Sequence, residues 1–139
     1  MNLTKIICLI AFILLPALAI SAPTPPVIGL KQGMIITSSV LVKPDIYQLN
    51  GYDSLNRPVI LIKGDNITVD FNRALLQGSS DRQLPNGFYG LALLIKGNNI
   101  TLKNARVTGY KVAVMAEGCK NLKTENSDFS YNYRQQLQS

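Results

Sequence analysis

The sequence predicts an all-β solenoid: short strands stacked in parallel over about three repeats, preceded by an entry segment. Two observations carry this. Leu-Ile-Lys-Gly-Asp-Asn-Ile-Thr-Val at 61–69 is nearly copied by Leu-Ile-Lys-Gly-Asn-Asn-Ile-Thr-Leu at 94–102, with a weaker copy, Gly-Cys-Lys-Asn-Leu-Lys-Thr, at 118–124. The step from Asn99 to Asn121 is 22 residues, and that from Asn66 to Asn99 is 33, so the first copy carries about eleven more. A repeat of this length made of short alternating apolar segments belongs to stacked architectures, each unit burying its apolar side only against the next. The second observation is the lack of helical periodicity in the repeats, which argues against crossover helices.

The segment at 29–51 is expected to be an entry segment. Met-Ile-Ile-Thr at 34–37, Val-Leu-Val at 40–42 and Ile-Tyr-Gln-Leu at 46–49 are β-prone, with a turn at Lys-Pro-Asp 43–45. Asn50-Gly51 is a turn dipeptide, and 53–58 is polar loop. From Val59 each repeat offers three short strands: 59–62, 67–70 and 74–76 in the first, 91–95, 100–102 and 105–107 in the second, 112–115, 121–123 and 127–129 in the third. In Ile100-Thr101-Leu102 the period is two, apolar in and polar out.

The asparagines follow the repeat. Asn104 and Asn126 share one repeat position, and Asn72 falls one residue away from it; Asn66, Asn99 and Asn121 mark a second recurrent turn. Asparagine tolerates the left-handed backbone, and its amide can bond the same group one repeat away. Asn72, Asn104 and Asn126 are therefore read as a structural turn ladder rather than as sugar ligands. Asn66-Ile67-Thr68 and Asn99-Ile100-Thr101 also fit the N-glycosylation pattern, which here coincides with the strand chemistry of the repeat.

Residues 1–22 are read as a signal peptide. Lys5 supplies the positive start, 6–15 is an apolar run too short for a comfortable membrane span, and Pro16 ends it. Ala17-Leu18-Ala19 fits cleavage after Ala19, with Ser21 and Ala22 as alternative sites and an uncleaved anchor as the other reading. Residues 23–33 form a linker and 34–139 the stacked domain. Secretion, or a periplasmic or cell-surface location, follows, with no stable membrane insertion after cleavage.

Cleavage removes Cys8 and leaves Cys119 alone, so no disulfide can form within the mature chain. A small residue in a repeat turn is the preferred reading of Cys119, with a reactive thiol as the alternative. The chain has no His, which removes the commonest metal ligand and the commonest neutral-pH base. No metal, cofactor or catalytic residue is read from it. Lys and Arg total 14 against 8 Asp and Glu, scattered rather than clustered, so no nucleic-acid arm is expected. An exported basic surface suits an acidic polysaccharide or an anionic envelope, while scattered lysines that keep the protein soluble are the preferred reading. The eleven additional residues at 79–89 read as a loop projecting from one edge, and Arg82, Asn86 and Tyr89 are the candidate carbohydrate contacts, with a solvated loop of no binding role as the preferred reading.

The run Ile-Lys-Gly-Asp-Asn-Ile-Thr-Val-Asp-Phe-Asn at 62–72 and its echo at 95–105 resemble the right-handed parallel β-helix repeat of pectin-lyase-like proteins. The resemblance covers 34–139 and is strongest over 59–131. It implies a right-handed β-helix and a link to polysaccharide lyases or glycoside hydrolases. It also implies further coils: the chain is expected to be the first part of a longer protein, or to self-associate through its open C-terminal rung. The family's catalytic patterns do not transfer. Adjacent Asp pairs and Gly-His-Gly are absent, Lys103 stands between Asp70 and Glu125, and Arg106 with Asp128 reads as a surface pair. The expected function is carbohydrate association without catalysis by this chain; the alternative is a structural or adhesive module.

Overall fold

The structure, a computed structural model, describes residues 18–79 and 83–135. Most of the expected signal segment and Arg82 therefore lie outside the described residues. What is described is all-β with parallel strands: β1 (Val27–Ile28), β2 (Met34–Ile36), β3 (Val40–Val42), β4 (Ile46–Gln48), β5 (Pro58–Lys63), β6 (Thr68–Asp70), β7 (Leu75–Gln77), β8 (Leu91–Lys103), β9 (Arg106–Thr108) and β10 (Val112–Glu125). One 3-10 turn, Pro85–Gly87, interrupts them.

The strands form a seven-stranded sheet in the order β1-β3-β6-β8-β5-β2, with β10 also on β8, and a three-stranded sheet β4-β7-β9. Every named strand pairing is parallel. The large sheet curls because β8 belongs to two ladders. Its first half takes β5, with Leu61 opposite Leu94, and its second half takes β6, with Val69 opposite Leu102. The result is a half-barrel wall of parallel strands, compatible with a solenoid.

Burial alternates along β3, β6, β7 and β9 and is continuous over Leu91–Ile95 at the start of β8. Ile60, Ile62, Val69, Leu76, Leu93, Ile95, Leu102 and Val107 are fully buried and form one core with Phe71 and Tyr110. Fully burying one such aliphatic side chain is worth roughly 1.5–3 kcal/mol, so this wall is the main source of stability. Tyr110 takes its hydroxyl into that core and donates it to the Leu49 carbonyl at 2.6 Å. Burial pushes its phenol well above the usual value.

Several elements differ from the sequence expectation. The 29–51 stretch is no mere entry: β2 pairs with β5, β3 with β6 and β4 with β7, so it extends every ladder. Val27–Ile28, inside the expected linker, pair with Leu41–Val42, and Leu30 is buried. The expected pairs of short strands at 91–102 and 112–123 are continuous strands of 13 and 14 residues. The third strand expected at 127–129 is reduced to an isolated bridge between Arg106 and Asp128.

The Lys-Gly step explains the continuity. Gly64 and Gly97 hold φ of 143° and 132°, and a Cβ on Gly97 would overlap the Gly64 carbonyl. The backbones stack too closely for any side chain, and the strand turns a corner without losing its ladder. In β10 the register shifts between Glu117 and Lys120, and Gly118-Cys119 takes the place of Gly97 alone. That bulge adds one residue to the repeat. Cys119, half-buried there, points its thiol at the Ile95 carbonyl, 3.2 Å away.

Candidate functional site

Two asparagine columns run across the strands. Asn66, Asn99 and Asn121 hold φ of 56°, 54° and 58°. Asn121 donates its amide to Asn99 at 2.9 Å, and Asn99 to Asn66 at 3.1 Å. In the other column Asn126 donates to Asn104 at 2.7 Å, and Asn104 to the Asp70 carboxylate at 2.9 Å. Asn72 sits beside this column: its backbone N–H donates to the same Asp70 oxygen at 2.8 Å. The one-residue displacement in the sequence thus becomes a change of acceptor, from amide to carboxylate.

The second column forms the floor of an open polar cleft of about 390 Å3, lined by Arg73, Asn104, Arg106, Asn126, Ser127 and Asp128. Its walls are set by backbone. Arg73 follows Asn72 in the left-handed region, with φ of 64°, and its N–H donates to the Asn104 carbonyl at 3.2 Å. Arg106 opens β9, whose outward position leaves its side chain exposed between buried Ala105 and Val107. Ser127 accepts the Ala105 N–H at 3.2 Å and donates to the Glu125 carbonyl at 2.9 Å. Asp128 is tied across to β9, its N–H on the Ala105 carbonyl and its carbonyl accepting the Val107 N–H.

The cleft holds two guanidiniums and one carboxylate. Hydrogen bonds from Ser130, chiefly, and the Arg106 charge hold the Asp128 carboxyl below its usual value, so it stays ionised at neutral pH. Arg73 and Arg106 are both exposed and enter none of the ion pairs found among the described residues. Their forks are available to a planar anion. The neighbouring charges are neutralised locally. Glu125 binds Lys123 at 2.7 Å and Lys103 at 3.5 Å, and Lys96 binds Glu117 at 2.9 Å. Among the described residues no three His, Cys, Asp or Glu gather as metal ligands, and no helix is long and apolar enough to cross a membrane.

The sequence candidates lie elsewhere. Asn86 is exposed within the 3-10 turn, and Tyr89, 40 % exposed, follows buried Phe88. Neither lines the cleft. Arg106 and Asp128 were expected as a surface pair, and the structure adds Arg73, which sequence reasoning passed over. Its signal was faint: it follows the displaced Asn72, but only the observed φ shows that the turn throws it beside the amide column.

No protein-family model matches the chain, and no match is found among the curated proteins or the solved structures. The parallel, curled sheet is compatible with a solenoid, and the resemblance to pectin-lyase-like proteins rests on the sequence repeat alone.

Proposed function

We propose that the chain is an exported, right-handed parallel β-helix protein of the pectin-lyase-like kind, stacked in successive coils, that binds an acidic polysaccharide without cleaving it. The observation that carries this reading is the pair Arg73 and Arg106, two exposed guanidiniums outside the ion pairs of the described residues, over an amide-lined floor. A uronate carboxylate suits an Arg fork, and ring hydroxyls suit the amides of Asn104 and Asn126. Hydrolysis of a glycosidic bond ordinarily uses two carboxyl groups, one of them protonated. The cleft offers one, and it is held ionised.

Titration with polygalacturonate, alginate and heparin at low salt tests this. Binding should weaken as salt rises, and the Arg73→Ala and Arg106→Ala variants should each lose about tenfold in affinity, the equivalent of ~1.4 kcal/mol. Absence of binding to all three polymers overturns the reading; appearance of unsaturated products overturns the non-catalytic part.

A second reading, a structural module that self-associates, is favoured by β10. Among the described residues this 14-residue strand pairs only with β8, leaving its outer edge open to another strand. Light scattering tests it: concentration-dependent growth in mass supports it, and a monodisperse monomer removes it.

A further inference from the structure

A second surface stands apart from the cleft, at the edge where the chain turns from one parallel return to the next. Gly51 and Gly90 meet there backbone to backbone: a Cβ on Gly51 would lie 2.7 Å from the Tyr89 carbonyl and 2.9 Å from the Gly90 Cα. This contact brings together the turns that carry Tyr52 and Tyr89, the neighbours of the two glycines. The Val112 N–H donates to the Gly90 carbonyl at 3.0 Å, which brings Lys111 into the next layer. The Tyr133 N–H donates to the Tyr110 carbonyl at 2.8 Å, which adds Tyr133 beneath Lys111.

Tyr52, Tyr89 and Tyr133 sit on three of these turns, and Arg57 and Lys111 bring cations against two of the rings. The Arg57 guanidinium lies 3.8 Å from the centre of the Tyr52 ring, and the Lys111 ammonium 5.8 Å from that of Tyr133. Tyr89 and Tyr133 are 40 % and 42 % exposed, a large fraction for aromatic rings held by backbone bonds on an ordered edge. Asp53, also exposed, is the acid nearest in sequence to Tyr52. Layers in parallel β structure repeat at about 4.8 Å, so the turns that carry these residues form an extended ridge along the edge.

We infer that the ridge Tyr52, Arg57, Tyr89, Lys111 and Tyr133 is a sugar-stacking site that holds an extended polysaccharide chain by the C–H faces of its rings. The tyrosine faces supply apolar, polarisable contact at low entropic cost. Arg57 and Lys111, placed against their rings, present N–H groups outward to carboxylate or sulfate substituents. A single-stranded nucleic acid could also stack on tyrosines flanked by cations. The polysaccharide is favoured by the scattered rather than clustered positive charge along the chain, since a strand of phosphates calls for a continuous basic track. This inference rests on the proposed polysaccharide binding but places the ring contacts on a separate surface.

The test uses the full chain, whose intrinsic emission comes from tyrosine because it has no Trp. The probes are polygalacturonate, a neutral xylan and oligo-deoxythymidine. Stacking predicts a change in tyrosine emission on adding polygalacturonate, and a loss of about tenfold or more in affinity for the Tyr89→Ala/Tyr133→Ala double variant. The Tyr89→Phe/Tyr133→Phe variant should keep the affinity, and unchanged thermal melts show that both variants fold. Wild-type affinity in the alanine variant, alongside weakened binding in Arg73→Ala, overturns the ridge and leaves the cleft standing. Tyrosine-dependent binding of xylan with none of any acidic polymer keeps the ridge and overturns the acidic-polymer reading. Tighter binding of the oligonucleotide than of either polysaccharide overturns the assignment of the ridge to sugars.

Discussion

At the residue scale, the asparagines combine two requirements that few side chains meet together. Each must hold the left-handed backbone, and each must join a hydrogen-bonded column across strands. Asn104 is the most demanding, since it donates to Asp70 and accepts from Asn126. Asn104→Ala should destabilise the fold by ~1–3 kcal/mol, because it removes both bonds and strains the backbone. Asn104→Gly should recover the backbone part only, and urea denaturation of the two variants separates the contributions. Tyr110→Phe leaves the Leu49 carbonyl without the phenol inside the core and should cost about 1–3 kcal/mol in the same assay.

Titration belongs to this scale as well. Asp128 and Glu125 both have lowered values in the folded chain, Asp128 chiefly through hydrogen bonds from Ser130, Glu125 chiefly through its bond from Lys123. A depressed carboxyl stabilises the fold above its unfolded value, and that contribution is lost as pH falls through the folded value. Stability should therefore fall on acidification below the ordinary carboxylate range. Asp128→Asn should flatten the dependence there, as read by denaturation midpoints against pH. Asp128 is exposed and Glu125 partly so, so salt should shrink the effect.

At the element scale, the long strands depend on glycines that let two backbones touch. Gly97→Ala meets the Gly64 carbonyl and imposes a disfavoured φ, and should cost about 2–4 kcal/mol. Gly118→Ala is the matched contrast. Gly118 also has positive φ, 61°, but no atom lies within 4 Å of its added Cβ. Its cost should be confined to backbone strain, ~1–2 kcal/mol, and chemical denaturation of the pair reads the difference. The bulge at Gly118-Cys119 also accounts for the weakness of the third copy in the sequence: one inserted residue shifts its alignment with the first two.

Across the whole molecule, stability should be graded across the sheet. β8 is paired on both sides over both halves, with β5 and β6 on one flank and β10 on the other. Among the described residues β10 has one partner, and its residues are half-buried or exposed throughout. Native-state hydrogen exchange should show the β8 amides slowest and the β10 amides several orders faster, since exchange tracks the free energy of local opening. Equal protection in the two strands would point to an additional partner on β10, such as a second copy.

The strand positions at 34–36, 40–42, 46–48 and 59–62 were legible because short runs of β-branched and other apolar residues bounded by turns are a local signal. So were the recurrent turns, because asparagine at a fixed step reports a backbone conformation that few other residues tolerate. The sequence by itself thus determined the all-β class, the parallel stacking implied by the repeat, and the inward apolar positions at Ile100 and Leu102. Only the tertiary structure decided that 29–51 extends the ladders, that β8 and β10 run unbroken past their glycines, and that Arg73 and Arg106 converge on one cleft. Those outcomes depend on which backbones come into register across 22 to 33 residues of chain, and register is settled by packing between returns rather than by any residue's own preference.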